Sequence, residues 1–280
     1  MTDAHHRAAI AERAARAGGV VARERFRGSF EVETKADKTD LVTIADREAQ
    51  QQVVATIREE FSGDQFVCEE DSPQLAGPES DAAEATLVES VPESGPAWIV
   101  DPIDGTTNFV RGNRTWATSV TALVDGEPVG SANYLPAMGD LYAAGPESVT
   151  RDGKSMRVSE ETDTDAFLVA VVNRWEDATA FGDLCRIADE ELGDVRRLGS
   201  FQATLSLLAD GGFDAAVCTQ SANAWDTVAG VHMVRAAGGT VTDVDGDRWT
   251  PDSEGMVASN GSNHGAVLDA VAQVRGESAD

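Results

Sequence analysis

Lysine is nearly missing from this chain: of 280 residues only Lys35, Lys38 and Lys154 are lysines, so arginine supplies almost all of the 22 basic side chains. Against them stand 49 acidic residues, and the formal net charge is −27. So little positive charge excludes a basic nucleic-acid-binding face, and no nucleic-acid partner is expected. The acids are dispersed along the chain rather than massed in a tail. That pattern reads as a halophilic surface, adapted to concentrated salt that screens its self-repulsion. The competing reading is an acidic patch for a basic partner.

Cysteine and histidine are also scarce. Cys68, Cys185 and Cys218 are odd in number and widely spaced, fitting neither a disulfide framework nor a zinc site. His5, His6, His232 and His264 do not gather in one segment. A metal would therefore be held by oxygen, which favours magnesium, manganese or calcium. No apolar run approaches the ~20 residues of a membrane span. The stretch from Met1 to Gly18 is broken by His5, His6, Arg7, Glu12, Arg13 and Arg16, so no secretory leader is read and a cytoplasmic location is expected. The Walker A and Gly-x-Gly-x-x-Gly patterns are absent, which argues against an NTPase or a dinucleotide enzyme. There is no internal repeat.

What is present is enough apolar sequence, 41% of residues, for a sizeable core. Helical composition runs from Ala4 to Phe26, with Gly18 and Gly19 expected to break or bend it. Ala49, Val53, Val54, Ile57 and Phe61 give a second helix between Asp46 and Phe61 one apolar face. Gln65 to Cys68 and Trp98 to Asp101 read as buried strands. Trp116 to Val124, Ser131 to Tyr134 and Leu141 to Ala144 read as further strands between glycine-containing turns. Asp71 to Gly95, rich in Pro, Ser, Gly, Glu and Ala, reads as a surface insertion. The second half alternates: strand Phe167 to Val172, helices Asp177 to Leu192 and Phe201 to Ala209, strand Ala215 to Cys218, helix Asp226 to Ala237, strand Thr240 to Val244. The whole is layered α and β structure, a single domain over 1–280, with sub-regions of about 1–145 and 146–280. Asp243, Asp245, Gly246 and Asp247 lack EF-hand spacing and a closing glutamate, and read as a turn.

Three acidic groupings carry the chemistry. Glu69-Glu70-Asp71 follows the strand ending at Cys68. Asp101-Pro102-Ile103-Asp104-Gly105-Thr106-Thr107-Asn108 follows Trp98 to Val100, and Trp225-Asp226 opens a helix. Taken singly, each has a structural explanation: Asp-Pro and Asp-Gly are turn residues, and Trp-Asp is a helix N-cap. Taken together, they are carboxylates at element ends. Pro102 and Gly105 can turn the chain so that Asp101 and Asp104 aim at one point, with the Ile103 carbonyl between them. Such concentrated charge requires a cation, and two hard divalent ions roughly 3.5–4 Å apart would satisfy it.

This joint pattern resembles the inositol monophosphatase family. The resemblance rests on Asp40 to Asp46 with Lys35 before it, Glu69-Glu70 after an apolar strand, Trp98 to Phe109, and Trp225 to Gly230. It spans nearly the whole chain and implies a layered αβαβα sandwich of the inositol monophosphatase and fructose-1,6-bisphosphatase type, assembled as a homodimer. It also implies hydrolysis of small phosphate monoesters with two to three Mg2+ ions per subunit. Glu69, Asp101 and the Ile103 carbonyl would hold one ion; Asp101, Asp104 and Asp226 would hold the second; Glu69 would help hold a third through water. Asp46 and Thr106, with Glu70 beside them in the catalytic set, would orient and deprotonate the attacking water. Gly105 and Thr106 would offer backbone N–H groups to the phosphate. Gly199, Ser200 and Asp226 would line the substrate, and Lys35 would sit on a mobile loop over the metals.

The sequence departs from the family at three places. Cys68 stands where glycine is common. Phe201 stands where a small residue is usual beside the substrate, and is expected to narrow the leaving-group side. Thr219 falls where inositol-selective members carry a glutamate. Metal chemistry survives these changes, whereas selectivity for inositol phosphate does not follow. Arg196 and Arg197 could hold a second phosphate, as in a bisphosphatase acting on fructose 1,6-bisphosphate or 3′-phosphoadenosine 5′-phosphate. They could equally be surface arginines or part of a subunit contact. A reading from a different class is a catalytically silent protein that binds metal or sugar phosphate.

Overall fold

The computed structural model describes residues 3–28, 32–34, 41–70, 86–172 and 178–277. Lys35 and the segment 71–85 lie outside these residues, as does the start of the helix expected at Asp177. Among the described residues, no helix is long and apolar enough to cross a membrane.

The chain opens with helix α1 (Asp3–Arg25), the short hairpin β1 (Val32–Thr34) and β2 (Leu41–Thr43), and helix α2 (Ile44–Arg58). An eight-stranded sheet follows. Its strands are β3 (Gln65–Cys68), β4 (Thr86–Leu87), β5 (Pro96–Asp104), β6 (Ala117–Val124), β7 (Glu127–Leu135), β8 (Asp140–Ala144), β9 (Val149–Arg151) and β10 (Lys154–Ser155), with helix α3 (Thr106–Val110) between β5 and β6. Their order is β10-β9-β8-β7-β6-β5-β3-β4. Strands β5 to β10 pair antiparallel, while β3 lies parallel to both β5 and β4.

The second sheet has five strands: β11 (Phe167–Val171), β12 (Gly193–Arg196), β13 (Ala215–Cys218), β14 (Thr240–Thr242) and β15 (Met256–Ser259), in the order β12-β11-β13-β15-β14. Helices α4 (Ala178–Glu191), α5 (Phe201–Ala209), α6 (Ala224–Ala236) and α7 (His264–Glu277) complete the chain. Helices α1 and α2 cover one face of the large sheet. Helices α5 and α6 lie between the two sheets, and α4 and α7 cover the far face of the small one. This is the five-layered α+β sandwich that the resemblance implied.

Burial explains the layering. Trp98, Phe66 and Val100 on one face of the large sheet meet Ile10, Ala14, Val53 and Ile57 of the outer helices. On its other face, Ile99, Ala97 and Val67 join Leu205, Leu208, Val231 and Val234 of the middle layer. Each Val, Leu, Ile or Phe among them contributes roughly 1.5–3 kcal/mol when fully buried.

Gly18 and Gly19 do not break α1, which runs on from Asp3 to Arg25. They are contact points. A Cβ on Gly18 would stand 2.4 Å from Val53 Cγ2, and one on Gly19 would stand 2.5 Å from Tyr134 Cδ1. Glycine here lets α1 settle between α2 and β7. Elsewhere the elements read from sequence keep their places with shifted ends: α6 starts two residues early, at Ala224, and β14 stops at Thr242. Asp243 Oδ1 accepts from the N–H groups of Asp245 and Asp247, both at 2.9 Å, and forms the expected turn.

Candidate active site

Strand register builds the acidic centre. Cys68 on β3 pairs with Val100 on β5, and the N–H of Glu69 donates to the Val100 carbonyl at 3.1 Å. Glu69 therefore leaves its strand beside Asp101. Along β5, Asp101 opposes Ser119 of β6 while Asp104 opposes Ala117, so three steps on one strand meet two on the other. This bulge matters, because residues three apart on a regular strand face opposite sides of the sheet. The extra residue turns Asp104 back toward the side of Asp101. Thr118 Oγ1 holds the bulge by donating to the Pro102 carbonyl at 2.8 Å.

Asp101, Asp104 and Asp226 converge, each offering a carboxylate oxygen within 4.8 Å of the others. Asp101 and Asp104 are buried and Asp226 is half-buried. Asp101 Oδ1 is buried without a hydrogen-bond donor. Burial, and then the charges of Glu69, Asp104 and Asp226, push the Asp101 carboxyl well above the usual range. Burial lifts Asp104 to about 6, against the lowering effect of its bond from Ser200.

Asp104 is anchored by the amino end of α5. Ser200 Oγ and the N–H groups of Phe201 (3.0 Å) and Gln202 (2.9 Å) all donate to its carboxylate. Ser200 also caps the helix, its Oγ accepting from Ala203 N at 3.1 Å. Asp226 sits in the first turn of α6. Its Oδ2 accepts from the Asn223 backbone N–H at 3.3 Å and side-chain Nδ2 at 3.1 Å, so Asn223, not Trp225 or Asp226, is the cap residue.

The glycine of the central motif also has a structural account. Gly105 has φ +93°, and a Cβ there would lie 3.0 Å from the Gly199 carbonyl oxygen. The motif loop and the residues before α5 touch at this point. Asn108 Nδ2 closes the joint by donating to the carbonyls of Thr115 (2.7 Å) and Leu198 (2.8 Å). Gly199 (φ +75°) packs on the Asn108 amide. Thr106 Oγ1 donates to the Ile103 carbonyl at 3.1 Å.

Asp46 lies in the first turn of α2, fully buried, with Oδ2 accepting from the N–H (2.8 Å) and Oγ1 (2.6 Å) of Thr43. Its Oδ1 is buried without a donor. Burial chiefly, with Glu70 as a like-charged neighbour, raises its pKa to about 6. Gln50, one turn on, clasps Glu70: Nε2 donates to its carbonyl at 2.7 Å and Oε1 accepts from its N–H at 3.0 Å.

One expectation about selectivity is corrected, and the two arginines fall on the surface reading. Phe201 is buried in the core between the sheets and does not stand free on a leaving-group side; its backbone N–H is what reaches the centre. Arg196 is exposed on the edge strand β12 and is engaged by Asp194 and the Val195 carbonyl. The Arg197 guanidinium lies over the Phe181 ring, 5.6 Å from its centroid. The bulge, Gln50 and Asn223 escaped sequence reading, because an internal Gln or Asn carries no periodic or motif signal.

The donor set is all oxygen, closely spaced, and contains a buried carboxylate oxygen with no protein donor. It fits hard divalent cations such as Mg2+. A fructose-1,6-bisphosphatase/inositol-1-monophosphatase of Thermotoga maritima is 31% identical over 245 residues, covering 87% of each chain. Inositol monophosphatase 2 of Solanum lycopersicum is 30% identical, covering 94% of this chain and 96% of its own. The solved structure of a Thermotoga maritima IMPase superposes with a TM-score of 0.82 at 28% identity, covering 95% of this chain and 96% of that one. The sequence profile of the inositol monophosphatase family matches residues 3–275, and with the fold and the acidic centre in agreement, the chain belongs to that family.

Proposed function

We propose that this chain hydrolyses small phosphate monoesters, inositol 1-phosphate and similar sugar phosphates among them, in a Mg2+-dependent reaction. The observation that carries the reading is the convergence of Asp101, Asp104 and Asp226, one of which, Asp101, has a buried carboxylate oxygen with no donor. Glu69, Asp101 and the Ile103 carbonyl would hold one ion, and Asp101, Asp104 and Asp226 a second, with two to three per subunit in all. When bound, these ions supply the positive charge that acidifies a water and offsets the charge of the phosphate and the leaving oxygen.

The protein's own groups then position and exclude. Asp46, raised to about 6, is suited to take a proton near neutral pH, with Thr106 as its partner in orienting the water. Glu70 lends its charge to raising Asp46 and is itself fixed by Gln50. Gly105 and Thr106, at the amino end of α3, offer N–H groups to the phosphate. Gly199 and Ser200 would line the substrate beside Asp226, and Ser200 also holds Asp104 while Gly199 packs on Asn108. Lys35 is the further residue that the family resemblance assigns to the site. We place the working protein in a high-salt cytoplasm, as a homodimer.

Within the same chemistry, the double name of the Thermotoga relative favours a second reading, a bisphosphatase. Thr219 lacks the charged acceptor that a glutamate would give to inositol hydroxyls. The deciding experiment is phosphate release from a panel of monoesters, with Mg2+ and with EDTA, in high salt. We expect release only with Mg2+, and kcat/KM for fructose 1,6-bisphosphate at least comparable to that for inositol 1-phosphate. A hundredfold preference for inositol 1-phosphate would overturn the argument from Thr219. Turnover undiminished by EDTA would overturn the metal assignment. Mg2+ binding with no release from any ester would leave a silent binding protein.

A further inference from the structure

We propose that Gln202 is a positioning residue that sets the distance between Asp104 and Asp226; the inference rests on the metal-dependent reading above. Gln202 is completely buried in the first turn of α5, a place where an amide needs several partners to offset its desolvation. It has them on three different elements. Its backbone N–H donates to Asp104 Oδ2 at 2.9 Å. Its Nε2 donates to the carbonyl of Trp225, the residue before Asp226, at 2.7 Å. Its Oε1 accepts from Gly230 N, one turn further along α6, at 2.9 Å, and from Asn133 Nδ2 of β7 at 3.0 Å.

The geometry makes this a link between the carriers of the carboxylates. Asn133 opposes Ser119, and Ser119 opposes Asp101, so Asn133 stands two strands away from Asp101 at the same level of the sheet. Helices α5 and α6 meet closely here, since a Cβ on Gly230 would lie 2.4 Å from Leu205 Cβ. One amide thus ties the sheet that bears Asp101, the helix end that anchors Asp104, and the first turn of the helix that bears Asp226. An apolar side chain of the same size would fill the space without choosing a register between α5 and α6. The two amide bonds to α6 choose one.

The test is Gln202→Met, which keeps the volume and drops the side-chain bonds, with Gln202→Ala as a second variant that keeps only the helix backbone. Mg2+ binding is measured by calorimetry without substrate, and the Mg2+ dependence of turnover is measured separately. Circular dichroism and thermal melts establish folding. We expect folded Gln202→Met to bind Mg2+ at least tenfold more weakly, to need correspondingly more Mg2+ for half-maximal rate, and to recover much of its kcat at saturating Mg2+. Mg2+ affinity within twofold of wild type in either folded variant would overturn the inference. So would failure of both variants to fold, since Gln202 would then be needed for the core rather than for metal placement. Asp226→Asn run alongside separates the two claims. If it also binds Mg2+ like wild type, the site assignment fails; if it loses Mg2+ while the Gln202 variants do not, only the positioning role fails.

Discussion

Ser200 gives its hydroxyl hydrogen to Asp104 and accepts the N–H of Ala203 with the same oxygen. One side chain therefore starts α5 and fixes a carboxylate of the acidic centre. Removing it should injure both. Ser200→Ala loses an N-cap, worth about 0.5–2 kcal/mol, and a bond to a charged group, worth roughly 1.5–3 kcal/mol. The variant should lose about 2–5 kcal/mol in urea unfolding, and its Mg2+ requirement for activity should rise. A loss of stability without any change in Mg2+ dependence would detach Ser200 from the centre.

Asp101 makes the metal-free protein sensitive to alkali. Its folded pKa is raised, so the folded state holds a proton that the unfolded chain has given up. The resulting stability is present at low pH and is lost as pH rises through the folded value. Above the usual carboxylate range and without metal, the folded chain must either ionise this buried group among like charges or hold a proton that the unfolded chain gives up, and Asp101→Asn removes that cost. In EDTA at pH 8 this variant should melt higher than wild type, with the gap closing toward pH 4. Mg2+ should raise the melting temperature of wild type and leave the inactive variant unmoved. A variant that melts lower than wild type in EDTA at pH 8 would contradict the argument.

His232 acts in the opposite direction. Burial, and then Arg235, lowers its pKa from the usual 6.5 to about 4, with Nδ1 paired to Ser131 Oγ at 2.9 Å. The unfolded chain takes up a proton below pH 6.5 that the folded protein refuses until about 4. Stability from this site falls as pH drops through that window and is level below it, a change on the order of 3 kcal/mol. His232→Gln cannot titrate, so the stability difference between wild type and variant should shift against wild type between pH 7 and 4. A difference constant across that range would remove His232 from the acid response.

Much of this was legible in the sequence, and the gaps have physical reasons. Gln65 to Cys68, Phe201 to Ala209 and Ala215 to Cys218 have the ends the sequence implies, because each is a mostly apolar stretch between clear breakers. Strands β9, β10 and β12 were missed: they are short and largely polar, and they are strands only because a neighbour pairs with them. Gly18 and Gly19 misled, since glycine is written identically whether it breaks a helix or lets two elements touch. The carboxylates stood out as motifs, but the bulge that turns Asp104 toward Asp101 exists only in the pairing with β6. Gln50 and Gln202 carry no motif at all; their meaning lies in partners twenty or more residues away.

Salt should stabilise this protein well beyond physiological strength. With 49 acidic and 22 basic residues, repulsion between exposed carboxylates opposes compaction, and salt shortens its range from about 8 Å at 0.15 M to about 3 Å at 1 M. An opposing effect is real but smaller. Salt also weakens exposed pairs such as Arg25–Glu48, Arg248–Glu127 and Arg186–Glu190, each worth only about 0–1 kcal/mol. Because acids outnumber bases by more than two to one, most carboxylates have no such pair to lose. The melting temperature in EDTA should therefore climb between 0.1 and about 1 M potassium chloride, then flatten as screening saturates. Salt exclusion from apolar surface would instead add stability steadily without a plateau. A melting temperature that is flat over the lower range, or that falls, would show that charge repulsion is not what limits the stability of this fold.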